Sequence, residues 1–164
     1  MKDKLLSKQG WVILLICIIS FFINNRVVVP DIMEARNMVT AREMVHDGNW
    51  LVPTMNGDLR LEKPPLPTWL TAVAEMISPD NLALQRAMAG FAAILLVAFF
   101  YLTAVQVMRN KRYAFISTIL LCTCYNIILM GRTASWDIYC HAFMMGAIYF
   151  LIRAFAAKAC SWKD

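Results

Sequence analysis

Charge is sparse in this sequence, and long polar stretches are nearly absent. Of its 164 residues 16% are Asp, Glu, Lys or Arg and 60% are hydrophobic, a balance that excludes an ordinary soluble domain. Glycine and proline are scarce, six of each, and three of the prolines (Pro64, Pro65, Pro67) crowd into one place. There is no internal repeat and no low-complexity tract. Cysteine is missing from the polar part of the chain: Cys17, Cys122, Cys124 and Cys140 lie in apolar runs and Cys160 near the end, which excludes a disulfide framework. Cys122 and Cys124, two apart on a helix, point in nearly opposite directions, so they suit apolar packing better than a metal.

What is present is a set of apolar runs. A membrane-crossing helix needs about 20 mostly apolar residues, because its backbone polar groups must pair internally once water is gone. Four stretches approach this, at about residues 10–29, 85–108, 113–130 and 137–157. The expected fold is an all-α membrane protein with four transmembrane helices and a long outer loop, about residues 30–84, containing amphipathic interfacial helices. The first run follows Lys2, Lys4 and Lys8 as a signal peptide would, but its exit through Phe21, Phe22, Ile23 and Asn24 lacks the small residues of a cleavage site, so it reads as an uncleaved span. Basic residues gather before the first run, between the second and third (Arg109, Lys111, Arg112) and after the fourth (Arg153, Lys158, Lys163). That puts the N-terminus and these ends on the cytoplasmic side, with the long loop and the turn 131–137 facing away from it.

The polar segment 31–69 holds six acids (Asp31, Glu34, Glu43, Asp47, Asp58, Glu62) and four bases (Arg36, Arg42, Arg60, Lys63), although the whole chain is formally +5. From Met33 to Asp47 the 3.6-residue period puts Glu34, Asn37, Met38, Ala41, Met44 and Val45 on one side of a helix, lying apolar side down on the membrane. Gly48 ends it. Asn56 and Gly57 form a tight-turn signal, and Trp50 and Trp69 suit headgroup depth. Lys63 precedes the proline cluster, which holds the chain extended and gives the cation a stiff support. Thr68 to Ile77 forms a short apolar helix, and Asp80 caps the second span.

Each candidate site residue has a plainer reading beside the chemical one. Asp31 and Glu34 have the spacing of a capping box. Lys63 suits a bound phosphate, or simply snorkels to lipid headgroups. Ser135 reads as an N-cap with Asp137 in the first turn, where negative charge is favoured. Alternatively, Arg132 and Asp137 meet the long loop and complete a charged pocket. His141 reads as a packing residue.

The ordered run ARNMVTAREMVHDGNWLVPTMNGDLRLEKPPLPTWL, then Gln85 and Arg86, then GRTASWD, resembles the N-terminal part of the membrane glycosyltransferases with the GT-C fold. It is most similar to the bacterial aminoarabinose (lipid A) transferases and the related protein O-mannosyltransferases. By this resemblance Glu34 matches the second acid of an acidic pair, Arg36 the following arginine, Glu62 and Lys63 the acid–lysine step before proline, and Asp137 a later aspartate. The first acid of the pair falls on Met33, with Asp31 two residues earlier, and the usual aromatic after the arginine is Asn37. The resemblance implies a longer, multi-pass inner-membrane protein of which this chain holds the first third. It implies inverting transfer of a sugar from a polyprenyl-phosphate donor to a lipid or protein acceptor on the non-cytoplasmic face, among membrane lipids and without a nucleic-acid partner. Asp31 or Glu34 is then the base, Asp137 orients the acceptor or a divalent cation, and Lys63 holds the phosphate with help from Arg36 or Arg132. The competing expectation is a non-catalytic four-span module whose charges only cap helices and bind headgroups.

Overall fold

A computed structural model describes residues 8–161, with side chains through 156. The basic positions Lys2, Lys4 and Lys163, and the side chains of Lys158 and Cys160, lie outside the described residues. In chain order the elements are α1 (Lys8–Phe22), α2 (Ile32–Asp47), a hairpin of β1 (Thr54–Met55) and β2 (Asp58–Leu59), α3 (Pro65–Ile77), α4 (Leu82–Met108), α5 (Lys111–Cys122), α6 (Tyr125–Gly131) and α7 (Asp137–Ser161).

Helix α4 is the hub. Its 27 residues extend about 40 Å at 1.5 Å per residue, and α1, α3, α5, α6 and α7 all pack on it. Small residues on α4 (Ala89, Ala93) let neighbours come close, and they share a core with Cys17 and Phe21 of α1, Cys122 of α5 and Ile138 of α7. Gly131 is there because nothing larger fits: a Cβ added to it meets the Phe21 ring at 2.7 Å and the Ala93 methyl at 2.9 Å. A second, smaller core joins α2 to α3 through Ala41, Met44 and Ala72, with Trp50 and Trp69 packed on it.

Among the described residues, α4 and Asp137–Ala156 of α7 are each long and apolar enough to cross a membrane, and the pair α5–α6 makes a third if taken as one broken span. Helix α1 is a shorter apolar helix. It ends at Phe22, where the expected first span ran on to residue 29; Asn24 adopts a left-handed φ of 55° and the chain turns. The expected span 113–130 is two helices, α5 and α6, bent by 66° at the break between them. No proline or glycine lies between Tyr113 and Met130. Instead the Cys124 N–H goes to the Leu121 carbonyl and the Thr123 hydroxyl to that of Leu120, which interrupts the ladder.

Helix α2 matches the sequence pattern closely. Asp31 Oδ1 accepts the Glu34 N–H at 2.7 Å, Gly48 closes the helix in the left-handed region at φ 74°, and Glu34, Asn37, Ala41 and Met44 are buried on one face. Three expectations fail locally. Pro65 and Pro67 are not extended; they start α3, where a missing N–H costs nothing, and only Pro64 keeps extended angles (φ −56°, ψ 138°). The cap of α4 is Asn81, whose side chain accepts the Leu84 N–H, while Asp80 sits at φ 57° and pairs with Arg42. Helix α7 begins at Asp137, leaving Ser135 outside it with its N–H on the Thr133 carbonyl at 2.8 Å.

Candidate functional site

At one end of the bundle, α2, the hairpin, the start of α3 and the turn before α7 converge. Their joint is a buried ion pair. Glu34 and Arg86 are 0% and 1% exposed. Arg86 Nε donates to Glu34 Oε1 and Nη2 to Oε2, both at 2.7 Å, a bidentate fork in which geometry and charge reinforce each other. The remaining Arg86 donor, Nη1, takes the carbonyls of Asn25 at 2.6 Å and Val28 at 2.9 Å. Glu34 Oε1 also accepts the Ala134 N–H at 2.8 Å. One helical turn along α2, Asn37 Nδ2 donates to the Ala134 carbonyl at 2.7 Å and to Thr71 Oγ1 at 3.1 Å, while its Oδ1 accepts from Thr68 Oγ1 at 2.7 Å. Both polar groups of Ala134 are thus held by α2, which fixes the turn that carries Trp136 and Asp137.

The hairpin brings in a second buried cation. Asn56 and Gly57 both have left-handed φ (56° and 82°), as a two-residue hairpin turn requires, and Glu43 secures the turn by accepting from Thr54 Oγ1 at 2.6 Å and from the Asn56 N–H. Leu59 and Leu61 then point outward, each 70% exposed, whereas Arg60 turns inward and is 6% exposed. Its Nη1 meets Thr40 Oγ1 and Met55 Sδ, both at 3.1 Å, and its Nη2 is buried without a partner. Burial lowers the Arg60 pKa from its ordinary value; Glu62 opposes this and Arg36 adds to it, as desolvation and a like charge must.

Arg60 and Lys63 both approach the ring of Trp136. The Arg60 guanidinium carbon lies 5.3 Å and Lys63 Nζ 5.5 Å from the ring centroid of Trp136, within cation–π range. Trp136 is itself buried, with Nε1 unpaired. Asp137 follows it directly and is exposed. Beside this group, Arg36, Arg60, Asp58 and Glu62 line a cavity of about 200 Å³ with Met55 and Leu59. Among the described residues Lys63, Arg36 and Asp137 make no ion pair. Lys63 and Arg36, with the unpaired N–H groups of Arg60 and Trp136, offer donors to an anion, while Asp58 and Glu62 on the same cavity wall oppose one.

The expected site residues therefore divide. Lys63 lies over the Trp136 ring, Asp137 is the next residue along the chain, and Arg36 lines the adjoining cavity. Glu34 has both oxygens engaged by Arg86. Asp31 is the exposed N-cap of α2. Arg132 lies elsewhere, with Nη2 on the Ile23 carbonyl at 2.6 Å and Nη1 on that of Ser20 at 3.3 Å, closing the end of α1. His141 Nδ1 bonds the Asp137 carbonyl one turn back. Among the described residues no three His, Cys, Asp or Glu side chains converge to hold a metal ion. Sequence reasoning missed Arg60, Trp136 and the partnership of Arg86. For Arg86 a signal existed: it is the one charge inside a 27-residue apolar helix, and such charges are rare without a dedicated partner.

The sequence profile of the dolichyl-phosphate-mannose-protein mannosyltransferases matches residues 11–164. Two curated relatives are undecaprenyl phosphate-alpha-4-amino-4-deoxy-L-arabinose arabinosyl transferases. That of Pseudomonas savastanoi pv. phaseolicola is 34% identical over 56% of this chain and 17% of its own length. That of Shewanella sediminis is 31% identical over 66% of this chain and 19% of its own length. The crystal structure of ArnT from Cupriavidus metallidurans, bound to undecaprenyl phosphate, superposes with a TM-score of 0.72 at 20% identity, covering 89% of this chain and 27% of that one. The fold is therefore shared, and this chain spans about a fifth of the length of the two relatives.

Proposed function

Since the chain belongs to the dolichyl-phosphate-mannose-protein mannosyltransferase family, we propose that it forms the N-terminal part of a GT-C glycosyltransferase that moves a sugar from a polyprenyl-phosphate donor to a lipid or protein acceptor. In this reading α1, α4, the broken α5–α6 pair and α7 are four spans of an inner-membrane protein, the N-terminus is cytoplasmic, α2 and α3 lie at the opposite interface, and the site faces away from the cytoplasm. The relatives' names support a polyprenyl-phosphate donor. The observation that carries the reading is the convergence of Lys63 and Arg60 on Trp136, next to Asp137.

The acceptor oxygen attacks the anomeric carbon as the bond to the donor's phosphate oxygen breaks, and the lipid phosphate leaves with the electron pair. Lys63, with Arg60 and Arg36 beside it, neutralises the charge that grows on that phosphate. A carboxylate takes the acceptor proton, a contribution of about 10²- to 10⁴-fold. Glu34 is held by Arg86, so its part is to position the Ala134 turn, while Asp31 and Asp137 are the exposed carboxylates open to the acceptor. The alternative, a non-catalytic four-span module, draws on Asp31 and Arg132, both of which cap helices.

The test is Lys63→Ala in the protein that carries this segment, assayed in membranes with a radiolabelled polyprenyl-phosphate sugar. Transfer falls at least about 10²-fold, the scale of losing one preorganised charge-stabilising group, with membrane insertion unchanged. Undiminished transfer overturns the assignment.

A further inference from the structure

A second cleft, bordered by Arg86, lies between the end of α1, the turn that follows it and α6. It encloses about 340 Å³, and its lining includes Asn25, Val27, Val28, Ile128, Leu129 and Arg132. We propose that this cleft binds the headgroup end of an anionic phospholipid, seating its phosphodiester at Arg132 and its acyl chain on the valine, isoleucine and leucine walls.

Charge selects the head. Among the described residues no carboxylate lines the cleft. Arg86, which also borders it, is neutralised by Glu34, whereas among the described residues Arg132 meets the uncharged carbonyls of Ser20 and Ile23 and no carboxylate. One positive charge is left over, and a phosphodiester carries one negative charge. Asn25 narrows the choice. It is 5% exposed, and both its amide nitrogen and its amide oxygen lack a partner, a state that buried amides rarely keep. Phosphate oxygens satisfy the nitrogen alone; a headgroup that also carries hydroxyls, as glycerol does, satisfies both atoms.

Shape selects the tail. Val27 and Tyr125 at the rim are 75% and 73% exposed, so the apolar wall opens sideways where apolar helices end. A small soluble anion has no use for such a wall, but an amphiphile at the lipid–water boundary covers it. The bend between α5 and α6 makes the room, since it swings Ile128 and Leu129 out of line with α5.

Native mass spectrometry of the chain in detergent, titrated with phosphatidylglycerol or phosphatidylcholine, tests this. The expected result is one retained phosphatidylglycerol, bound at least about tenfold more tightly than phosphatidylcholine, which corresponds to about 1.4 kcal/mol. Asn25→Leu removes the amide without touching the Arg132 contacts to α1, and lowers phosphatidylglycerol retention by a similar factor while helix content by circular dichroism is unchanged. Arg132→Gln abolishes the preference between the two lipids. Equal retention of both lipids by the unaltered chain, full retention by Asn25→Leu, or displacement of phosphatidylglycerol by equimolar undecaprenyl phosphate each overturns the proposal, the last because it makes the cleft part of the donor's own groove.

Discussion

Arg86→Met is the most severe single change the fold predicts. Methionine keeps an unbranched side chain and helix propensity on α4, but the Glu34 carboxylate stays behind, fully buried and without its bidentate partner. Removing one member of a buried pair costs about 3–5 kcal/mol, mostly the desolvation of the charge left over. The same change frees the Asn25 and Val28 carbonyls, at about 1 kcal/mol each. Glu34→Leu strands Arg86 and also releases the Ala134 N–H, so it destabilises on a similar scale. The double variant has no stranded charge. Its loss should therefore fall short of the sum of the single losses by about 2–3 kcal/mol, the upper range for directly coupled residues. Unfolding of the purified chain in mixed micelles, followed by helix circular dichroism for all four sequences, measures the coupling. Strict additivity, or a single-variant loss within about 0.5 kcal/mol as at ordinary surface positions, refutes the claim that this pair locks α2 to α4.

Three further outcomes follow from particular contacts. Asn37→Leu breaks bonds to Thr68, Thr71 and the Ala134 carbonyl at once, so exchange of the backbone amides of 133–136, read by hydrogen–deuterium mass spectrometry, should speed up while that of α4 does not. Cys17 and Cys122 have their Sγ atoms 3.9 Å apart; copper phenanthroline should oxidise the two thiols to an intramolecular disulfide, seen as a faster band on non-reducing gels and lost in Cys17→Ser. His46 has its pKa raised by its hydrogen bond to Asp47 and by the charge of that residue; the pairing is therefore complete below about 6.5, the unperturbed histidine value, and fades as pH rises through the folded-state value. The imidazole NMR titration of His46 should move down toward that value in Asp47→Asn.

Local signals in the sequence were sound where one element decides the outcome. The buried face of α2, its Asp31 cap, the Gly48 stop and the Asn56–Gly57 turn each follow from period, capping and backbone freedom within a few residues. The break at Thr123 and Cys124 has no such marker, because it is made by a hydroxyl and a shifted N–H in a run without proline or glycine. The proline cluster was read as extended because φ near −65° suits both an extended chain and a first helical turn; the apolar stretch after Pro67 decides for the helix. Most of the site lay beyond local reach. That Glu34 faces the apolar side was legible, but that its partner is Arg86 depends on how α2 docks on α4. The inward turn of Arg60 likewise depends on Trp136 being there to receive it, and the sequence around Arg60 reads only as leucine alternating with charge.

The clamp on Ala134 also constrains how the protein is made. Glu34 and the Ala134 N–H that donates to it are 100 residues apart, so at about 5–20 residues per second the ribosome needs roughly 5–20 s after making the start of α2 before the turn that completes it exists. For the second half of that interval the Glu34 carboxylate has Arg86, 52 residues along, to pair with, but it still lacks its third hydrogen bond. Helix α2 therefore seats on α3 and α4 first, and the turn bearing Trp136 and Asp137 is clamped late, when α7 begins to emerge.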